Sequence, residues 1–283
     1  LDGVLVNARR LGADGPAVSA IGLGCMGMSG MYGPADRGEG IATIHTALEA
    51  GVDLLDTGDF YGMGHNELLI GEALRGRPRE EYRLSVKFGA QRGPDGMWLG
   101  YDASPPAVKT ALAHSLTAVH PICDVQIEYS LISRGVEAAI LPACRELGVA
   151  ITAYGVLSRG LISGHFAAER ELAANDFRAR APRFDGENCA HNLALVDGLR
   201  AVADAKGASV AQVAIAWVLG RGEDIVALVG SRTRAQLDEA LGAERVELDA
   251  DDLAALERAI PPDAVLGERY PEPQMATLDS ERA

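Results

Sequence analysis

Apolar positions along the chain fall into two alternating periods. The runs "VDLLDTG" (52–58), "YRLSVKFG" (82–89), "CDVQIEYSL" (123–131), "VAITAYG" (149–155) and "DIVALVG" (224–230) are short, apolar and bounded by turn residues, and predict strands. "VSAIGLGCMGM" (18–28) predicts a further strand that enters a glycine-rich turn. Between these runs the spacing becomes helical. "RGEGIATIHTALEAG" (37–51) places Ile41, Ile44, Ala47 and Leu48 on one face and closes at Gly51; "HNELLIGEALRG" (65–76) closes at Gly76. "SPPAVKTALAHSL" (104–116) offers Ser104 as N-cap and Pro105 at the first helical position. Helices are also predicted over 136–148, 192–207, 209–221, roughly 232–242 and 250–260. The stretch up to about residue 190 is irregular, and the tail, with Pro261, Pro262, Pro271 and Pro273, reads as extended.

Strict strand–helix alternation predicts a parallel sheet, either a barrel or a doubly wound layer. The polar residues at or just past strand ends are Asp56, Tyr61, Lys87, Gln126, Glu128, Tyr154 and Ser231. They come from many strands, which favours a barrel, where all strand C-termini meet at one mouth. No internal repeat and no domain boundary stands out, so residues 1–283 read as a single domain.

Composition changes this picture little. At 48% hydrophobic and 23% charged residues it is that of an ordinary soluble domain. The formal net charge of −14 argues against nucleic acid and anionic membrane as partners. No apolar run reaches the roughly 18 residues of a membrane span, and no basic segment followed by an apolar one opens the chain; the expectation is a cytoplasmic protein. Cys25, Cys123, Cys144 and Cys189 form no metal-ligand spacing and read as reduced thiols.

The candidate chemistry starts at "VDLLDTGDFYG" (52–62), where an apolar run ends in Asp56 and Tyr61 follows. Taken singly, an aspartate after a strand commonly caps a turn, a lysine at a strand end is commonly solvated, and Tyr61 alone reads as rim packing. Their joint occurrence is more specific. "GLGCMGM", "LLDTGDFYG", "GEALRG", "SVKFG", "VQIEYSL", "AYGVLSRGLISG" and "GSRTRAQLDEAL" occur in one order, and on these pieces, from about residue 9 to 260, the chain resembles the aldo-keto reductase superfamily. The likeness is greatest to bacterial reductases related to potassium-channel β subunits and pyridoxal reductases.

The resemblance implies an α/β fold of the (β/α)8 TIM-barrel type, NADPH/NADP as cofactor and a small-molecule carbonyl substrate. It assigns Tyr61 as the proton donor to the carbonyl oxygen, with Lys87 and Asp56 as its partners. A free tyrosine has a pKa near 10; a nearby ammonium lowers it, and an aspartate paired with that ammonium fixes its position. The resemblance further implies that Gln126 bonds the nicotinamide carboxamide, that Tyr154 stacks on its ring, and that Gly155 and Leu157 follow the pyrophosphate. "GSRTR", with Gly230, Ser231, Arg232 and Arg234, would hold the adenosine 2′-phosphate, at a helix start that favours an anion. Two arginines opening a surface helix also fit plain solvated charge. Gln236 and Glu239 match adenine-side contacts, and Ala240 departs from an asparagine common there. Gly24, Cys25 and Met26 match a turn beside the nicotinamide; Met31, Tyr32, Met97 and Trp98 fit either a substrate mouth or ordinary loop packing.

Six strands are countable where the family has eight. The helix ending at Leu116 runs almost directly into the Gln126 strand, placing an internal deletion near residues 116–117. Two of eight units of a typical barrel are roughly 60 residues. In the family the absent piece carries the catalytic histidine, and His120 resembles the segment just before the Gln126 strand instead. The expectation is a barrel shortened to about six strands. Open sheet edges invite pairing with another chain, so an unclosed sheet predicts oligomerisation, as a homo-oligomer, or aggregation. Two rivals stand beside the reductase: a catalytically impaired NADPH-binding or interaction protein, and a barrel aldolase using Lys87 as a Schiff base.

Overall fold

Among the described residues ten short strands form in chain order: β1 (Ala8–Arg10), β2 (Ala17–Ser19), β3 (Ile21–Gly24), β4 (Leu54–Gly58), β5 (Arg83–Lys87), β6 (Ala90–Arg92), β7 (Trp98–Tyr101), β8 (Asp124–Glu128), β9 (Ala150–Tyr154) and β10 (Ile225–Gly230). The computed structural model describes residues 6–275 apart from 14, 59, 88–89, 93–97, 102–122, 139, 147, 169 and 174–175. The predicted helix over 104–116, the junction at 116–117, and Met97, His114 and His120 therefore lie outside the described residues.

Six strands pair in one parallel sheet of order β5-β4-β3-β10-β9-β8. Neighbours in the sheet are neighbours among these six in the chain, except that the first pairs with the last, with Leu23 opposite Val229 and Gly24 opposite Gly230. That cyclic order is the order of a barrel. The sheet also curls. Flat, β8 and β4 would lie four strand spacings apart, about 19 Å. Instead Gln126 Nε2 on β8 donates to Asp56 Oδ1 on β4 at 2.8 Å, and lies 3.5 Å from Ser85 Oγ on β5. The six predicted strands are all present, in a curled and shortened barrel.

One end of the sheet is closed by the antiparallel β1–β2 hairpin. Leu11 and Val18 bury against Leu54, Ala150 and Val226, at the N-terminal starts of three strands. Asp53 pins the hairpin by accepting from Ser19 N at 2.7 Å. The strands' C-terminal ends form the opposite mouth.

Helices α1 (Arg37–Glu49), α2 (His65–Ala73), α3 (Ile140–Glu146), α4 (Gly186–Lys206), α5 (Val210–Leu219), α6 (Arg234–Leu241), α7 (Ala250–Ala259) and α8 (Glu272–Met275) follow. Every α5 residue but Gln212 is buried, and Ser209 and Gln212 close a capping box at its start. The helix expected over 136–148 is shorter: a 3-10 turn occupies Gly135–Glu137 before α3. Pro142 explains this. It has no N–H to donate, so it fits the first turn of α3 but not the interior of a longer helix. The expected extended tail is instead a strap. Asn192 Nδ2 donates to Leu266 O at 2.8 Å while Leu266 N donates back to Asn192 Oδ1 at 2.9 Å, and Arg183 Nε donates to Gly267 O at 3.2 Å. Among the described residues no single helix is long and apolar enough to cross a membrane.

Candidate active site

β4 and β5 deliver the central pair. Their register sets Asp56 opposite Ser85 and Gly58 opposite Lys87, and the two-residue period puts Asp56 and Lys87 on one face. Lys87 Nζ donates to both carboxylate oxygens of Asp56, at 2.6 Å to Oδ1. Gly58 leaves the room this needs: a Cβ there would stand 3.3 Å from both Lys87 Cβ and Tyr61 Cε1. Asp56 is 2% exposed. Burial pushes its carboxyl above the usual carboxylate range, against the pull of the Lys87 ammonium and the Gln126 amide.

Tyr61 follows β4 on a tight turn, with its N–H on Gly58 O at 3.0 Å. Its side chain is buried, edge-on to Phe60 at 4.7 Å between ring centres. Lys87 Nζ lies 5.4 Å from the Tyr61 ring centre. The expected lowering of the Tyr61 pKa is not the outcome. Burial raises it, and the Asp56 carboxylate raises it further. The physical reason is that Asp56 holds the ammonium in a tight ion pair and adds its own negative charge beside the phenol.

Asn66, on α2, fixes this turn from behind. It is fully buried, accepts from Thr57 Oγ1 at 2.7 Å, and donates to Cys25 O at 2.8 Å and Ser29 Oγ at 2.7 Å. Its own N–H meets Tyr61 O at 3.2 Å. Asn66→Ala strands those groups and is expected to destabilise the fold by about 1–3 kcal/mol; a urea titration checks it, and an unchanged midpoint would contradict this account.

The residues matched to a nucleotide lie along the same mouth. Gln126 is engaged with Asp56 through Nε2, and its Oε1 has no partner among the described residues. Tyr154, at the end of β9, shares a 2.9 Å hydrogen bond with Tyr270 on the strap. Gly155 has φ +67°, and a Cβ there would meet Glu128 Cγ at 3.1 Å, so both conformation and space ask for glycine. After Leu157 (φ −97°) the backbone turns left-handed at Ser158 (φ 47°) and Arg159 (φ 57°), strain of the kind that clusters at binding sites. Gly24 and Gly230 face each other at the ends of β3 and β10, and Met26 opens the next 3-10 turn. Arg232 donates to Tyr32 O at 3.2 Å, and burial with the nearby Arg178 and Arg170 holds its guanidinium below its ordinary range. Arg234 is held by Glu39, Glu239 by His165 at 2.9 Å, and Gln236 Oε1 accepts from Arg232 N.

Sequence reasoning placed Glu128 at a strand end without a role; in the structure it is the carboxylate that organises this mouth. Glu128 is 1% exposed, and arginines from three separate segments converge on it: Arg159 at 3.1 Å, Arg269 at 3.6 Å and Arg183 at 3.9 Å. Ser133 Oγ donates to it at 3.0 Å. Its one signal was position, two residues beyond Gln126 on the same strand face. Arg159 also stacks on Tyr270, 4.7 Å from the ring centre.

The fold and site define a barrel protein in which a buried aspartate paired with a half-buried lysine sits beside a tyrosine at the strands' C-terminal mouth. The chain belongs to the aldo/keto reductase family, whose family model matches residues 20–117 and 104–261. A probable aldo-keto reductase 1 of Glycine max is 33% identical over 318 residues, covering 92% of this chain and 91% of the relative. A glycerol dehydrogenase from Gluconobacter oxydans superposes with a TM-score of 0.76 at 23% identity, covering 90% of this chain and 96% of its own. An aldo/keto reductase from Klebsiella pneumoniae, solved with NADP and acetate, gives 0.65 at 22% identity, covering 94% and 99%.

Proposed function

We propose that this protein reduces aldehydes or ketones to alcohols with NADPH, with Tyr61 as proton donor. The observation that carries the reading is the pairing of Lys87 with the buried Asp56 carboxylate beside Tyr61 at the barrel mouth. Family membership supports the reaction class, and the NADP-bound Klebsiella relative supports the nucleotide. The chain's own residues fit such a group. Ser158 Oγ and Ser231 Oγ are buried without a hydrogen-bond partner among the described residues, at the ends of β9 and β10. Arg232 is half-buried with no carboxylate paired to it among the described residues. Burial, then the nearby Arg178 and Arg170, hold its guanidinium below its ordinary range, a setting that favours an anion.

When bound, NADPH supplies the hydride. Tyr154 offers the flat face for the nicotinamide, Gln126 Oε1 an acceptor for its carboxamide, and Ser231 and Arg232 donors for the 2′-phosphate. Tyr61 gives its hydroxyl proton to the substrate oxygen. Lys87, held by Asp56, places positive charge beside the phenol as it becomes an anion.

A second reading, an impaired nucleotide-binding protein, is favoured by one feature: a shortened barrel. The 318 aligned positions exceed the roughly 260 residues that make up 92% of this 283-residue chain, leaving about 58 with no residue here. Two of eight barrel units come to roughly 60 residues. The two family matches overlap over 104–117, which supports a junction near residues 116–117. NADPH oxidation by the purified chain with an activated aromatic aldehyde separates the readings. Steady turnover is expected. A folded protein that binds NADPH without oxidising it would leave only the second reading, and a homo-oligomer seen by gel filtration would agree with open sheet edges at β5 and β8.

A further inference from the structure

Two helix starts meet at the edge of the mouth. Asp36 caps α1 by accepting from Glu39 N at 2.7 Å, which sets Glu39 in the first turn. Thr233 caps α6, which sets Arg234 at its first position. Glu39 then takes three of the N–H donors that Arg234 carries, one from its backbone and two from its guanidinium. Its Oε1 accepts from the Arg234 backbone N–H at 3.1 Å and from Nε at 3.2 Å, and its Oε2 accepts from Nη2 at 3.1 Å. A guanidinium fork closed on a carboxylate, together with the adjoining helix-start N–H, is the donor set a phosphate group would use. Here a side chain of the protein occupies it.

Arg232 is placed differently. Its Nη1 reaches only the Tyr32 carbonyl among the described residues, and no carboxylate pairs with it there. The neighbouring Arg178, whose guanidinium lies 5.6 Å from the Tyr32 ring centre, is itself closed on Asp176 through Nε at 3.0 Å and Nη2 at 2.6 Å. Of the two arginines that open α6, Arg232 is therefore ready for an anion and Arg234 is already neutralised.

Resting on the nucleotide reading above, we propose that Glu39 is a cofactor-specificity residue that lowers the preference for NADPH over NADH. Its carboxylate competes with the 2′-phosphate for Arg234 and repels that dianion. Toward NADH it competes with nothing, and a carboxylate near a ribose accepts from a free 2′-hydroxyl. Glu39 thus taxes one nucleotide and spares the other.

The test is an equilibrium titration of the full chain with NADPH and with NADH, followed by nucleotide fluorescence, with no carbonyl substrate present. Glu39→Gln keeps the helix position and removes the charge. Its NADPH Kd is expected to fall about three- to fivefold, the range of an exposed ion pair, and its NADH Kd to stay within about twofold. Arg234→Ala is the second variant. It is expected to weaken NADPH more on the Glu39→Gln background than on the wild type, a coupling that a merely structural Glu39 would not produce. An unchanged NADPH-to-NADH ratio in Glu39→Gln overturns the proposal. So does weaker NADPH binding, which would mean that Glu39 orients Arg234 toward the phosphate. A wild-type chain that binds neither nucleotide overturns the nucleotide reading itself, a result distinct from either of these.

Discussion

Tyr61→Phe is expected to lower turnover of an activated aromatic aldehyde by about 10²–10⁴-fold, the usual span for loss of a positioned general acid. The substitution removes one oxygen and leaves the ring, which still packs edge-on to Phe60 at 4.7 Å. The Tyr61 hydroxyl makes no hydrogen bond among the described residues, so no partner is stranded and stability should hold within about 0.5 kcal/mol. NADPH binding should hold as well. The loss then falls equally on kcat and kcat/KM, the pattern of an interaction made only in the transition state. The pH profile carries independent information. Burial and the Asp56 carboxylate raise the Tyr61 pKa, so the donor stays protonated up to and beyond the ordinary tyrosine value near 10. Reduction by the wild type should therefore show no alkaline limb below about pH 10 from this group. A limb near pH 8 that Tyr61→Phe abolishes would mean that the Lys87 charge, not burial, governs the phenol. Full activity in Tyr61→Phe would remove Tyr61 from the chemistry altogether.

Much of the barrel was legible because its inner strands β3, β4, β9 and β10 are buried on both faces. β4 is buried at all five positions, and its residues are apolar until the mouth is reached. The cyclic pairing of β3 with β10 followed from strand–helix alternation together with polar residues at the ends of many strands, which favoured a barrel over a doubly wound layer. The N-terminal hairpin was not legible: three-residue strands are too short to show a period. Pro142 did mark the true start of α3, but apolar spacing upstream outweighed it. Prolines in the tail suggested extension, whereas Asn192 ties that segment down from α4, far away in sequence. Long-range pairing of this kind leaves no local pattern.

The site divides along the same line. Asp56, Tyr61 and Lys87 were legible because two strand ends and one turn place them, and register does the rest. Gln126 was legible as a mouth residue, yet its Nε2 is on Asp56. A curled, shortened sheet brings β8 near β4 and β5, and an amide N–H facing a buried carboxylate bonds it. Arg234 read as a 2′-phosphate ligand and Glu39 carried no signal of its own; only the packing of α1 beside α6 makes them a pair.

Glu128→Gln is expected to cost about 3–5 kcal/mol of stability, the range for removing one partner of a buried ion pair. The side chain keeps its shape but loses its charge, and Arg159, Arg183 and Arg269 then face one another around a neutral amide. The three arginines are themselves nearly buried, at 8%, 8% and 4% side-chain exposure, so water cannot replace the lost counter-charge. Each belongs to a different mouth segment: the turn after β9, the 3-10 turn at Pro182–Phe184, and the C-terminal strap. Loosening Glu128 therefore loosens the surroundings of Tyr154, through Gly155 on one side and the Tyr154–Tyr270 hydrogen bond on the other. Urea unfolding should show the midpoint lowered, and NADPH titration should show weaker binding in the same variant. Asn66→Ala serves as the comparison, because it lowers stability from the Tyr61 side and touches none of the arginines. If Glu128→Gln lost less than about 1 kcal/mol, its carboxylate would not be what holds the three segments together. If it lost stability but kept wild-type NADPH affinity, the cluster would brace the fold without shaping the nucleotide site.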